Sequence, residues 1–181
     1  TSSWSSWRKT LKIDKLKYTN LCFDKRSISH SNKKSKKIDK IKFELIKKFN
    51  LKKKDLLVQM LPTCPLRSIK TIKKAVHYSI INNKNIFSAC EYDFHIKFSF
   101  LLKGNYWIPV FKSSPMLTGN TQSQSQKNYY HPNGVINCLH VASLSKSTKS
   151  IYDRALPFII PRIEAFDIDT EEDLKIIKKI Y

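Results

Sequence analysis

Two carboxylates two residues apart, Asp167 and Asp169, carry the strongest chemical signal in the chain. They stand in the run Phe166-Asp167-Ile168-Asp169-Thr170-Glu171-Glu172-Asp173-Leu174. On an extended backbone, residues two apart project to the same face. Two hard oxygen donors on one face suit Mg2+, which takes one or two carboxylates and completes its shell with water and phosphate oxygens. The residues that follow have a plainer reading. Thr170 and Asp173 form a capping-box-like pair opening a helix, and Glu171, Glu172 and Asp173 complement the positive end of its dipole. Capping does not account for Asp167 and Asp169, which precede it.

A second group, Leu61-Pro62-Thr63-Cys64-Pro65-Leu66-Arg67, follows an apolar run over 55–61 that reads as a buried strand. Two prolines remove ladder donors and fix φ, so the strand cannot continue through them. In parallel sheets, ligands sit beyond the carboxyl ends of strands. Thr63 and Cys64 would offer small polar groups there. Arg67 is either a forked cation for an anion or a tie to a local carbonyl or carboxylate. A third group, His131-Pro132-Asn133-Gly134, opens a strand, and its Asn-Gly pair reads from spacing alone as a turn.

The elements that must position these groups follow from periodicity. Ile38, Ile41, Leu45 and Phe49 share one face of a helix expected over 36–49. A second helix is expected over 68–81, capped by Ser68, with Ile69, Ile72, Val76 and Ile80 as its apolar stripe. Strands are expected over 85–91, 97–102, 106–110, 134–142 and 157–163, with a Ser/Gln/Asn-rich loop over 112–132. A turn or short helix is expected over 143–149, and a last helix over 170–180. Alternating strands and helices in the first half imply crossovers and a parallel sheet, and the strand-rich middle implies an antiparallel insertion, so the class is α/β.

Length and composition set the outer bounds. The chain has 181 residues, enough for one domain with a real core. No apolar run approaches the ~20 residues of a membrane helix, so a membrane partner is not expected. The N-terminus, Thr1-Ser2-Ser3-Trp4, shows no initiator Met and no signal pattern, and the chain is expected to begin inside a longer reading frame. Net charge is +20, and only five of the 34 basic residues are Arg. The lysines spread along the chain, which argues against a nucleic-acid partner, since such sites favour Arg forks. Cys22, Cys64, Cys90 and Cys138 form no CxxC pair, and no His completes a zinc site. A reduced, cytoplasmic protein is expected.

Taken in order and spacing, the three groups resemble the acylneuraminate cytidylyltransferases, or CMP-sialic acid synthetases. That family reads LQPTSPLR after a strand, later RPNGAIY, and near its C-terminus SIDIDTxxDL. This chain reads MLPTCPLR, HPNGVINC and AFDIDTEEDL. Phe87-Ser88-Ala89-Cys90 with Lys97 beyond it also resembles the family's VVSAC strand and sugar-facing lysine. The likeness covers about residues 24–181 and extends to the sister enzymes for related nonulosonic acids.

The resemblance implies a mostly parallel, Rossmann-like nucleotidyltransferase sheet with helices on both faces, and a small antiparallel dimerisation insertion over about 92–142. Residues 1–35 would be a divergent or disordered segment and 36–181 the cytidylyltransferase-like domain. The implied reaction joins CTP to the anomeric hydroxyl of an acidic nine-carbon sugar and releases pyrophosphate. By the same likeness Asp167 and Asp169 hold Mg2+, and Thr63, Cys64, Arg67, Lys97 and Asn133 face the sugar acid. Arg26 and Ser35 would lie near the cytosine. The family is dimeric, and Tyr152 matches an aromatic residue that a partner protomer contributes.

The departures are equally specific. The family's glutamine before Pro-Thr is Leu61, an arginine ahead of the HPNG group falls at Ser123, and the tyrosine after NGAI is Asn137. These positions would hold the acyl and carboxyl ends of the sugar. The glycine-containing loop that cradles the triphosphate has no match either, because Gly104, Gly119 and Gly134 are the only glycines. Weak binding of CTP by these residues is therefore expected. The competing expectation is a catalytically inactive relative that keeps the fold as an interaction module.

Overall fold

The computed structural model describes residues 45–120, 127–144 and 150–180. Much of the helix expected over 36–49, with Ile38 and Ile41, lies outside them, as do Arg26, Ser35, Ser123 and 145–149. Within them a single helical turn, Ile46–Lys48, precedes strand β1, Leu56–Met60. Helix α1 follows at Ile69–Asn82, then β2 at Ile86–Glu91. A two-stranded arm comes next, β3 at Phe100–Lys103 and β4 at Tyr106–Pro109. Strand β5, Tyr130–His140, strand β6, Leu156–Ile159, and helix α2, Glu171–Ile180, complete the chain.

Helix α1 starts where the sequence places its cap. The Thr71 N–H donates to Ser68 Oγ at 3.1 Å, which satisfies one of the donors a helix leaves open. It ends at Asn83, whose left-handed φ of 48° and N–H bond to Ile80 O turn the chain out. The buried face differs from the expected stripe. Ile69 and Ile80 are 72% and 57% exposed, and the face turned inward is Thr71, Ala75 and Ser79. Small side chains four residues apart bring the helix axis close to the sheet, while Ile72, Val76 and Tyr78 wedge in at the sides.

Four strands form the main sheet in the order β1-β5-β2-β6. β5 runs antiparallel to both of its neighbours, and β2 pairs parallel with β6. The expected mostly parallel ladder is therefore corrected to a mixed α/β sheet whose pairings are mainly antiparallel. The physical reason lies in the return path. β1, β2 and β6 share a direction, with α1 as the crossover between the first two. The chain leaves the end of β2, makes the arm and comes back at that same edge, so β5 must run against β2. It fills the gap between β1 and β2. Consequently β5 belongs to the main sheet, and the insertion is confined to about 92–129 instead of 92–142.

The main core lies between α1 and the sheet, with Ile86, Ile136, Cys138, Val135 and Ala75 fully buried. A smaller cluster of Leu139, Leu144 and Ile151 receives Leu45, Ile46 and Leu57. The arm turns at Gly104, where φ is 61° between the paired residues Lys103 and Tyr106. Several expected strands are shorter in the structure. Ile96–Phe98 is a 3-10 turn capped by His95, so β3 starts at Phe100 and not at Lys97. Ser114 and Pro115 open a helical turn, Pro115–Thr118, inside the expected loop. β6 stops before Pro161, and Arg162–Ala165 is a 3-10 turn.

Candidate functional site at the carboxyl edge of the sheet

β1, β2 and β6 end at one edge of the sheet, and β5 begins there. Pro62 ends β1 and starts the turn that holds Thr63 and Cys64. Arg67 closes this turn: its Nη1 donates to Leu61 O and to Val135 O, both at 3.0 Å. Of the two readings open for Arg67, the tie to carbonyls is the one observed, although its Nε is buried and has no partner among the described residues.

The HPNG group is a bulge within β5, which corrects its reading as a simple turn. The pairing with β2 slips between Phe87 and Ala89, and Gly134 takes a φ of 71°. A bulge leaves ladder groups unpaired, and two side chains fill the gap. Ser88 Oγ donates to Asn133 Oδ1 at 2.6 Å and accepts from Ile136 N at 2.9 Å. Asn133 Oδ1 also accepts from Val135 N at 3.2 Å. Asn133 Nδ2 is buried with no partner among the described residues. A methyl at Gly134 would meet Leu61 Cδ1 at 3.0 Å, so the departure at Leu61 packs directly on the bulge. Asn137 is buried beside Gln59, its Nδ2 3.4 Å from Gln59 Oε1.

The acidic pair arrives at the same edge. After the 3-10 turn the chain runs alongside the 61–64 turn, and Ile168 N donates to Thr63 O at 3.0 Å. Asp167 is half-buried, Asp169 is exposed, and Asp167 Oδ1 is a buried acceptor with no donor among the described residues. Both carboxylates act on the Cys64 thiol. Burial pushes that thiol up to about 11, followed by the charge of Asp167, its hydrogen bond and the charge of Asp169, against an opposing pull from Arg67. Thr170 and Asp173 form the expected capping box. Asp173 Oδ2 accepts from Thr170 Oγ1 at 2.7 Å and Thr170 N at 2.8 Å, and Asp173 N donates to Thr170 Oγ1 at 3.1 Å. Those bonds from Thr170 hold the Asp173 carboxyl below its usual range.

One residue that the sequence reasoning passed over fixes this arrangement. Glu164, in the 3-10 turn before the acidic pair, sits at the N-terminus of α1. It accepts from Ser68 N at 3.1 Å and Thr71 Oγ1 at 2.9 Å, with Ser68 Oγ at 3.1 Å. A carboxylate there satisfies open helix donors and the dipole together. Its partners lie more than ninety residues away, so no local pattern announces it. Arg162 forms an ion pair with Asp93, joining the exits of β6 and β2.

Thr63, Cys64, Arg67, Asn133, Asp167 and Asp169 thus meet at one edge, and Lys97 leaves β2 at that edge in the 3-10 turn below the arm. Tyr152 does not join them. It precedes β6 at the opposite edge, edge-on to Phe87 at 5.1 Å. Among the described residues no three His, Cys, Asp or Glu side chains are grouped to hold a metal. Mg2+ needs only one or two protein carboxylates when phosphates and water complete its shell, and Asp167 and Asp169 are the residues here that could hold one, Asp167 Oδ1 having no partner among the described residues. No protein-family model and no curated protein sequence matches the chain.

Proposed function

We propose that this chain is a nucleotidyltransferase of the cytidylyltransferase kind, joining CTP to an acidic nine-carbon sugar with release of pyrophosphate. One observation carries the reading: the Ile168–Thr63 backbone bond seats the Asp-Ile-Asp segment against the Pro-Thr-Cys-Pro turn at the carboxyl edge. Sequence groups more than a hundred residues apart become one site, with Asp167 Oδ1 and Asn133 Nδ2, which have no partner among the described residues, beside it. The finer fold belongs to the same proposal: a Rossmann-like sheet of co-directional strands with one reversed strand inside it.

In this reading Asp167 and Asp169 hold Mg2+. When bound, the ion would lower the pKa of the sugar hydroxyl and offset charge on the phosphoryl oxygens. Asn133 Nδ2, a donor with no partner among the described residues, would hold an oxygen of the sugar acid, and the Thr63 hydroxyl and the Lys97 ammonium would orient it. Arg67 shapes the turn through its two carbonyl bonds. Arg26 and Ser35 are assigned to the base by resemblance alone. Tyr152 can serve such a site only from a second protomer, as its distance from its own site requires.

The exposed apolar arm supports a homodimer. Leu101, Leu102 and Tyr106 are 64%, 74% and 79% exposed, and neighbouring exposed apolar side chains of this kind mark interaction surfaces. The same arm also favours a second reading, an interaction module without catalysis, given Leu61 and Asn137 at sugar-facing positions. Pyrophosphate release from CTP and Mg2+ with a panel of nonulosonic acids, using the whole reading frame that encodes these residues, separates the two. Release that disappears in Asp167→Asn supports the enzyme. Folded protein with no release on any sugar supports the module.

A further inference from the structure

Cys90 and His131 face each other across the last pairs of β2 and β5, with Cys90 Sγ 3.2 Å from His131 Nε2. The tautomer is assigned from the other ring nitrogen. His131 Nδ1 lies 3.3 Å from Pro132 O, and a carbonyl only accepts, so Nδ1 carries the hydrogen. Nε2 then presents its lone pair to the thiol. The Tyr92 ring packs on the imidazole at 4.7 Å between centroids, which holds its orientation. A thiol, a base that accepts its proton and a third group orienting the base make the arrangement that activates nucleophiles.

We infer that Cys90, with His131 as its base, is a reactive thiol that exchanges with small disulfides. In the step, the proton passes from Cys90 Sγ to His131 Nε2, and the thiolate attacks one sulfur of the disulfide. A new S–S bond forms as the old one breaks, and the departing thiolate takes the proton back from His131. The disulfide is the only oxidant required.

Two further observations bear on the site. Cys90 has an imidazole nitrogen within hydrogen-bond distance, and among the described residues no such contact is seen for Cys64 or Cys138, which are buried. Cys90 is itself 4% exposed, yet it is the penultimate residue of β2, and Glu91 and Tyr92 beyond it are exposed. The exchange therefore requires this end of β2 to open to a small reagent. One pleat inward lies the Ser88–Asn133 pair. A group added to Cys90 would therefore displace His131 and strain the bulge that positions Asn133. The inference concerns thiol chemistry and does not rest on the proposed nucleotidyl transfer.

The test is reaction of the reduced full chain with 4,4′-dithiodipyridine, with peptide mass spectrometry to follow each cysteine. Cys90 should be labelled at least about tenfold faster than Cys64 and Cys138. His131→Gln should slow Cys90 by about tenfold or more, leaving the other two unchanged. The comparison of the three thiols in the wild type needs no variant. Tyr92 packs on His131, Glu91 and Tyr130 form the next pair along the ladder, and Tyr129, stacked edge-on with His95, accepts from Tyr92 N. Labelling of Cys90 no faster than that of Cys138, or an unchanged Cys90 rate in folded His131→Gln, overturns the inference.

Discussion

Ile168 donates its backbone N–H to the carbonyl of Thr63 at 3.0 Å, and through that bond the acidic pair is registered on the turn that ends β1. A backbone bond sets position without regard to side-chain chemistry, so the carboxylates of Asp167 and Asp169 can change without moving the segment. Neutralising Asp167 should therefore be a local electrostatic event. Its charge and hydrogen bond raise the Cys64 thiol, so Asp167→Asn should bring that thiol down from about 11 toward the ordinary thiol range. Ultraviolet titration of thiolate formation, with Cys64→Ser as the subtraction control, reads the shift. An unchanged titration would show that burial alone sets the thiol.

Glu164 should matter for stability more than its surface position suggests. Glu164→Ala leaves Ser68 N and Thr71 Oγ1 without their acceptor, and should cost about 1–3 kcal/mol in urea unfolding. Glu164→Gln keeps an acceptor oxygen but loses the charge at the helix terminus, and should cost less, about 0.3–1 kcal/mol. Ser68→Ala should cost about 1 kcal/mol by itself. Combined with Glu164→Ala it should fall short of additivity, because the two share hydrogen bonds.

What could be read from the sequence depended on the range of the interaction. β1 was legible to within a residue because two prolines fix its end, and α1 because Ser68 caps it locally. The capping box of Thr170 and Asp173 spans three residues and was fully legible. The inward face of α1 was not, since periodicity marks apolar residues and the sheet instead receives Thr71, Ala75 and Ser79. The place of β5 inside the main sheet was missed because alternation of strands and helices says nothing about the edge at which a long insertion returns. The Asn133-Gly134 pair reads as a turn in isolation, and becomes a bulge only because Ser88, from another strand, supplies the missing ladder partners.

The Asp173 carboxyl, held low by Thr170, gives an acid-side signature. A depressed folded-state pKa stabilises the fold above the unfolded value, about 3.9 for Asp. That contribution should fade as pH falls through the folded value, so the start of α2 should fray at the acid end of the range. Asp173→Asn should remove this part of the pH dependence, and Thr170→Val should weaken it. Carboxyl chemical shifts followed from pH 5 downward test this directly. A titration of Asp173 at the unperturbed value would contradict the capping box.

The arm gives an outcome in solution. If Leu101 and Tyr106, on one face of the arm, are covered by a second copy, Leu101→Lys with Tyr106→Lys should convert a dimer to a monomer in sedimentation velocity. The two residues lie on a hairpin that pairs only with itself among the described residues, so the main core should be undisturbed. A monomeric wild type at micromolar concentration would remove the dimer from the proposal, and with it the role of Tyr152.

Gly134 separates two costs that usually arrive together. Its φ of 71° disfavours any side chain, and an added methyl would also meet Leu61 Cδ1 at 3.0 Å. Gly134→Ala should therefore destabilise the protein by about 1–3 kcal/mol, part backbone strain and part collision. Leu61→Ala opens the space but leaves φ unchanged. In the double variant the collision is relieved and the strain remains, so the coupling should be favourable while Gly134→Ala still costs about 1 kcal/mol in the Leu61→Ala background. A coupling of zero would mean that the bulge moves off Leu61 of its own accord. Asn133 would then be free to shift as well, and the Ser88–Asn133 bond could not be what holds it at the edge of the sheet.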